Sequence, residues 1–112
     1  MLASGEPERL YSGLSLLVSG AVGGEACAGL ASFRGLELLL ADDLFHQGIH
    51  RGEEFARSLL ELRDMALELE ALTIYACSAS VETTALDISP LAGVMSTPRF
   101  LERAAGARLL FV

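Results

Sequence analysis

The chain of 112 residues contains no lysine, no tryptophan and no asparagine, and it has only two cysteines, two histidines and three prolines. Without lysine, the protein cannot form a Schiff base through a side chain, and it lacks the lysine of a phosphate-binding P-loop. Two histidines leave few options for a catalytic triad built on histidine. Several common catalytic devices are therefore excluded or restricted.

A long hydrophobic run is also missing. The longest stretch without a charged residue is 10–24, and glycine and serine interrupt it, whereas a membrane span needs about 20 mostly apolar residues. Glu6 and Glu8 precede this stretch, where a secretory signal would carry basic residues. We therefore expect a cytoplasmic protein with no membrane association, in which Cys27 and Cys77 are free thiols.

Acidic residues outnumber basic ones by 15 to 8, which gives a net charge of −7. Binding to nucleic acid needs a basic face that neutralises phosphates, so this charge argues against a nucleic-acid partner. The hydrophobic fraction of 52% is typical of a folded globular chain. At this length about two-thirds of the unfolded surface is buried on folding, so we expect a single domain over 1–112.

Helix and strand signals alternate along the chain. Apolar residues at helical spacing, together with capping residues, predict helices over 6–24, 36–45, 53–69, 78–86 and 97–106. Short uncharged or β-branched runs predict strands at 26–33, 72–77, 91–95 and 107–112. Because helices separate the successive strands, the sequence predicts an α/β fold with a mainly parallel sheet. Only Met1 to Ser4 precede the first helix, so any opening strand is very short.

Cys77 is the strongest candidate for chemistry. It ends the predicted strand 72–77, at the point where Ser78 and Ser80 can cap a helix. Ligands of open α/β sheets gather outside the carboxyl ends of the strands, and a helix N-terminus there stabilises a thiolate. The alternative is an inert cysteine that fills the strand end as a small hydrophobic residue.

Two arginines and the second cysteine are weaker candidates. Arg34 ends the predicted strand 26–33, and Arg99 lies in the first turn of the last helix. Either guanidinium could face an anion or the Cys77 thiolate, and ordinary surface contacts are the alternative. Cys27 lies among alanines in a predicted inner strand, where a thiol is buried and unreactive. It could act as a resolving partner only if the fold brings it near Cys77.

His46 and His50 are four residues apart, a spacing that places two metal ligands on one helix face. Gly48 and Gly52 disfavour a helix there, and the sequence implies no third ligand. We interpret these histidines as part of a solvated loop, 46–52, and expect neither a metal nor another cofactor.

The order of these segments resembles the DsrE/DsrF-like family of small sulfur-relay proteins. The likeness rests on three stretches. The first is Glu6 to Gly24, which is similar to the family's first helix, and the second is Phe33 to Leu39, which is similar to its aromatic-x-Gly-Leu element. The third combines Tyr75 to Ser80, similar to the C-x-x-S segment, with Leu91 to Thr97, similar to the Gly-Val strand, and Phe100-Leu101, similar to the final helix. The short opening segment departs from the family pattern. So does Arg34, at a position where the family often has an aromatic or aliphatic residue.

The resemblance implies a three-layer α/β/α fold with about four to five strands and a homo-oligomer, trimeric or hexameric. It also implies that Cys77 carries sulfane sulfur as a persulfide and passes it to a thiol of a sulfur-carrier partner. In this interpretation Ser78, Ser80, Arg34 and Arg99 stabilise the sulfur anion. The alternative function is a non-catalytic homo-oligomeric binding module of the same fold, in which the cysteine is inert.

Overall fold

The structure is a computed structural model that describes residues 1–41, 52–83, 85–107 and 112. The elements within these residues are, in chain order, α1 (Pro7–Val22), β1 (Cys27–Ala31), α2 (Phe33–Leu40), α3 (Gly52–Glu68), β2 (Leu72–Cys77), α4 (Ser78–Thr83), β3 (Val94–Met95) and α5 (Thr97–Arg103). The predicted loop 46–52 lies outside the described residues except for Gly52, and the predicted strand 107–112 does so except for its two ends.

The three strands form a parallel sheet in the order β1-β2-β3. Cys27 pairs with Leu72 at one end of β1, and Ala31 pairs with Ala76 at the other. β2 pairs with β3 at its end, where Cys77 lies opposite Met95. The prediction of an α/β fold with parallel strands is confirmed. All three strands end at one edge of the sheet, which we call the carboxyl edge, and α2, α4 and α5 begin there.

Residues 1–4 extend the sheet by one position beside β1. Leu2 forms a single parallel bridge with Ala31. On its other side, the Ala3 N–H donates to the Val112 carbonyl at 2.9 Å, and the Val112 N–H donates to the Met1 carbonyl at 3.0 Å. The opening segment therefore contributes one bridge, in keeping with the prediction that any opening strand is very short.

Side-chain alternation along β2 divides the buried residues between the two faces of the sheet. Leu72, Ile74 and Ala76 belong to the larger core, which also contains the buried apolar residues of α1 and α3. Because successive side chains of a strand point to opposite faces, Cys77 lies on the other side. There it joins a smaller buried cluster with Leu30, Met95 and Phe100.

The boundary between β1 and α2 differs from the prediction. The predicted strand 26–33 ends at Ala31, and α2 covers 33–40 instead of 36–45. Phe33 has a φ of 46°, which is sterically costly for a bulky residue. Its N–H donates to the Ser80 hydroxyl oxygen at 2.8 Å. A hydrogen bond to a residue distant in sequence therefore accompanies the early start of α2. Because α2 begins at Phe33, Arg34 lies in the helix and not at the strand end predicted from the sequence.

The later boundaries also differ from the prediction. α4 ends at Thr83 and not near Leu86, and the strand predicted at 91–95 is reduced to Val94–Met95. The Thr83 hydroxyl donates to the Ser80 carbonyl at 3.0 Å, which satisfies a carbonyl at the end of this short helix. α5 begins at Thr97 as predicted but ends at Arg103, and its capping residue is Ser96.

Candidate functional site at Cys77

Cys77 is the last residue of the central strand, β2, and lies at the carboxyl edge between β1 and β3. The strand-to-helix junction predicted from the sequence is present, because α4 begins at the next residue. The side chain is 4% exposed and packs in the cluster with Leu30, Met95 and Phe100. The sulfur therefore lies just beneath the surface of this edge.

Four neutral hydrogen-bonding groups lower the pKa of the Cys77 thiol. Two are the backbone N–H groups of Ala79 and Ser80 in the first turn of α4, where no earlier helical carbonyl can accept them. The others are the hydroxyls of Ser80 and Thr97, and the Thr97 Oγ1 lies 3.9 Å from the Cys77 Sγ. The donors thus come from two helices that follow different strands.

These donors decide the ionisation of the thiol. Burial raises the pKa of Cys77, but the backbone hydrogen bonds from Ser80 and Ala79 and the hydroxyls of Thr97 and Ser80 outweigh it, so the pKa lies below its ordinary value. Hydrogen bonds to a charged form stabilise that form. The site therefore shifts the ionisation of Cys77 towards the thiolate, and no positive charge is among the causes of the shift.

The two predicted serines differ in position. The Ser80 side chain is 0% exposed, and its oxygen accepts the Phe33 N–H. Since α4 begins at Ser78, Ser80 lies inside the helix, and the prediction that it caps the helix is wrong. Ser78 is half-buried, and its hydroxyl is not among the groups that lower the pKa of Cys77.

The two predicted arginines are exposed. The Arg34 side chain packs beside Gly5, where an added Cβ would lie 2.9 Å from the Arg34 Cβ. Arg99 lies in the first turn of α5 as predicted, and its backbone N–H donates to the Ser96 hydroxyl at 3.3 Å. Within the described residues, neither guanidinium forms a hydrogen bond or ion pair with Cys77, and neither is among the causes of its pKa shift.

The length of the sheet separates the two cysteines. Cys27 pairs with Leu72, five residues before Cys77 on β2. With a rise of about 3.3 Å per residue, the two Cα atoms are at least about 16 Å apart. A disulfide requires Cα atoms closer than about 7 Å. Both cysteines are free, and Cys27 is not placed to act as a resolving partner within one chain.

Thr97 is a residue of this site that the sequence pattern did not reveal. The residues Thr97-Pro98 are typical of a helix start with Thr97 as the cap, whereas Ser96 is the cap in the structure. The available signal was the pair of adjacent hydroxyl residues, Ser96 and Thr97, at the start of one helix. Only one of them can be the N-cap, which leaves the other hydroxyl for a different partner.

A groove of about 800 Å³ lies along the face of the sheet formed by Ala28, Thr73 and Tyr75, which is also the face of Cys77. Arg103 lies at its rim, donates to the Tyr75 hydroxyl at 3.0 Å and has its guanidinium carbon 5.6 Å from the ring centre. Cys77 is not among the described residues that line this groove. Met95 and Phe100, which pack against Cys77, also line this groove, so the groove adjoins the buried cluster that holds the thiol.

The described part of the chain contains no group of three or more His, Cys, Asp or Glu side chains that could hold a metal ion. The predicted histidine loop, with His46 and His50, lies outside the described residues. No helix within residues 1–41, 52–83 or 85–107 has the length and apolar character needed to cross a membrane.

Comparison of the chain with protein-family models, curated proteins and solved structures finds no match in any of the three.

Proposed function

We propose that the protein is a sulfur carrier with sulfurtransferase-like chemistry, in which Cys77 holds sulfane sulfur as a persulfide. The observation that supports this function is the position of the Cys77 sulfur at the carboxyl edge of a parallel sheet, 3.9 Å from the Thr97 hydroxyl oxygen, where the first turn of α4 also lowers the pKa of the thiol. These groups favour the thiolate, which is the nucleophilic form of cysteine.

In the proposed reaction, the Cys77 thiolate attacks the outer sulfur of a donor persulfide, R–S–SH. The S–S bond of the donor breaks, R–S⁻ leaves, and Cys77–S–SH forms, so the step needs no external oxidant. An acceptor thiolate then attacks the outer sulfur of Cys77–S–SH, and the Cys77 thiolate leaves. The N–H groups of Ala79 and Ser80 stabilise this leaving thiolate as they stabilise the attacking one.

The proposal includes a relationship to the DsrE/DsrF-like family. It extends to a three-layer α/β/α arrangement with four to five strands, a cytoplasmic homo-trimer or homo-hexamer, and a sulfur-carrier protein as partner. The parallel three-stranded sheet, the extra bridge of Leu2 and the position of Cys77 after the central strand support it. Arg34 and Arg99 act in this proposal from the surface, on the incoming anion.

Sulfur loading of the two cysteines tests the proposal directly. The reduced protein is incubated with glutathione persulfide, and intact and peptide masses are recorded. We expect a gain of about 32 Da per sulfur on the peptide that contains Cys77. The Cys27→Ser variant, a matched control for the other thiol, should load as the wild type does, and Cys77→Ser should not load. Loading of folded Cys77→Ser, or none of the folded wild type, would overturn the proposal.

The burial of Cys77 and the groove beside its cluster favour a second candidate function, a non-catalytic homo-oligomeric binding module. In that function Cys77 is inert, and the groove, whose wall includes Leu16 with 53% of its surface exposed, binds a partner protein or another subunit. Titration of the folded protein with a thiol reagent at neutral pH distinguishes the two. Slow reaction of Cys77 favours the module, and fast reaction favours the sulfur carrier.

A further inference from the structure

Thr97 brings a hydroxyl to Cys77 from an element that is distant in sequence. The Thr97 Oγ1 lies 3.9 Å from the Cys77 Sγ, within hydrogen-bond reach for sulfur. Thr97 is the first residue of α5, but Ser96 caps this helix by accepting the Arg99 N–H. The half-buried Thr97 hydroxyl is therefore not needed for capping, and it faces the sulfur.

The direction of this hydrogen bond depends on the ionisation of Cys77. In the neutral form, either the thiol or the hydroxyl can be the donor. A thiolate has no proton, so only the Thr97 hydroxyl can then donate, and a hydrogen bond to a charged acceptor is the stronger kind. Ser80 acts in the same sense. Its oxygen accepts the Phe33 N–H, which leaves its hydroxyl proton for Cys77.

We propose that Thr97 is a positioning residue for Cys77, whose hydroxyl donates to the thiolate and stabilises it at the start of α5. Its part in sulfur transfer rests on the proposed function. The hydrogen bond itself can be tested without any sulfur donor.

No charged group takes part in this arrangement. Most ionisable groups on the elements packed around Cys77 are exposed side chains, namely Arg34 and Glu37 on α2, Glu82 on α4, and Arg99, Glu102 and Arg103 on α5. The others are Tyr75 on β2, which is bonded to Arg103, Cys27 at the far end of β1, and the amino group of Met1, whose residue packs against the same cluster. Within the described residues, none of them hydrogen-bonds to the Cys77 sulfur. The ionisation of Cys77 should therefore respond to Thr97 and little to ionic strength.

The pH profile of Cys77 alkylation tests the role of Thr97. The full chain is treated with iodoacetamide across a range of pH, and peptide masses report Cys77 and, as an internal reference, Cys27. Thr97→Val should raise the apparent pKa of Cys77 by about half a unit to one unit, because a hydrogen bond to a charged group is lost. Thr97→Ser keeps the hydroxyl and should keep the wild-type profile. Glu102→Gln, an exposed change on the same helix, should also leave the profile unchanged.

An unchanged profile in folded Thr97→Val, or an equal shift in Thr97→Ser, would overturn the inference. If Thr97→Val does not give the wild-type circular dichroism spectrum, Thr97→Ala makes the same deletion with less bulk. Sulfur loading is scored separately. A shifted profile in a protein that does not load supports the role of Thr97 and overturns the sulfur carrier. Sulfur loading of the wild type together with an unchanged pH profile of Cys77 alkylation in Thr97→Val supports the sulfur carrier and overturns the role of Thr97.

Discussion

At the scale of single residues, Gly35 lies where the backbone of α2 closely approaches the backbone of Leu2 and Ala3. A Cβ at this position would clash with the Leu2 carbonyl and would lie 3.0 Å from the Ala3 carbonyl carbon. Leu2 in turn bridges to Ala31 at the end of β1. Because the clash involves backbone atoms, no side-chain rotation can relieve it.

We therefore expect Gly35→Ala to lower the free energy of unfolding by about 2 to 4 kcal/mol, although alanine is favoured over glycine in helices by about 1 kcal/mol. Urea denaturation followed by circular dichroism measures the change. Glu37→Ala, at an exposed position of the same helix, should change the stability by less than about 0.5 kcal/mol. A Gly35→Ala protein as stable as the wild type would show that α2 does not approach Leu2 this closely.

The residues around Cys77 show how much of the site could be predicted from the sequence. Cys77, Ala79 and Ser80 are local neighbours, so a strand followed by a serine-rich helix start predicts a thiol near backbone N–H groups. Thr97 is 20 residues away in the chain, and its position depends on the pairing of β2 with β3. No periodic pattern records that pairing, so this donor was not predicted.

At the scale of elements, Arg63 on α3 supports the end of α2. Its guanidinium donates to the Ala41 carbonyl at 2.8 Å and to the Leu39 carbonyl at 3.4 Å. Carbonyls in the last turn of a helix have no helical partner, and a cation there also interacts favourably with the helix dipole. The Arg63 side chain is only 16% exposed, and it pairs with Asp64 at 3.0 Å. This contact joins two helices that flank the region 42–51.

Arg63→Met keeps much of the side-chain stem but removes the donors, so we expect it to lower the free energy of unfolding by about 1.5 to 3 kcal/mol. Arg57→Met is the matched control. The Arg57 side chain is 65% exposed, and its pair with Glu53 at 3.7 Å is a surface contact worth less than about 0.5 kcal/mol. Chemical denaturation of both variants compares them. Equal losses of unfolding free energy in the two variants would mean that the hydrogen bonds of Arg63 to α2 contribute nothing to stability.

At the scale of the whole molecule, the parallel sheet keeps the two cysteines at opposite ends. We expect oxidation with diamide to produce no disulfide between Cys27 and Cys77 of one chain, because the strand register holds their Cα atoms far beyond bonding distance. Any disulfide should join two chains and increase with protein concentration. Non-reducing electrophoresis and peptide mass mapping make the measurement. A Cys27–Cys77 linked peptide in the monomer band would contradict the register of β1 and β2.

Three properties of the protein follow from its composition and from neighbouring residues alone. These are the net charge of −7, the alternation of helices and strands that leads to a parallel α/β sheet, and the location of Cys77 at a strand-to-helix junction. Each follows from local periodicity or from residue type, because burial of one face of a helix or strand leaves a repeating pattern in the chain.

Which distant groups meet depends on how the strands pair and the helices pack. The start of α2 accompanies a hydrogen bond between Phe33 and Ser80, 47 residues apart, and Cys77 meets Thr97 across the gap between β2 and α5. Strand pairing brings such residues together, and a single hydrogen bond of this kind leaves no repeat in the sequence. The physical reason is that strand register and helix docking are set by the sum of many contacts across the whole core.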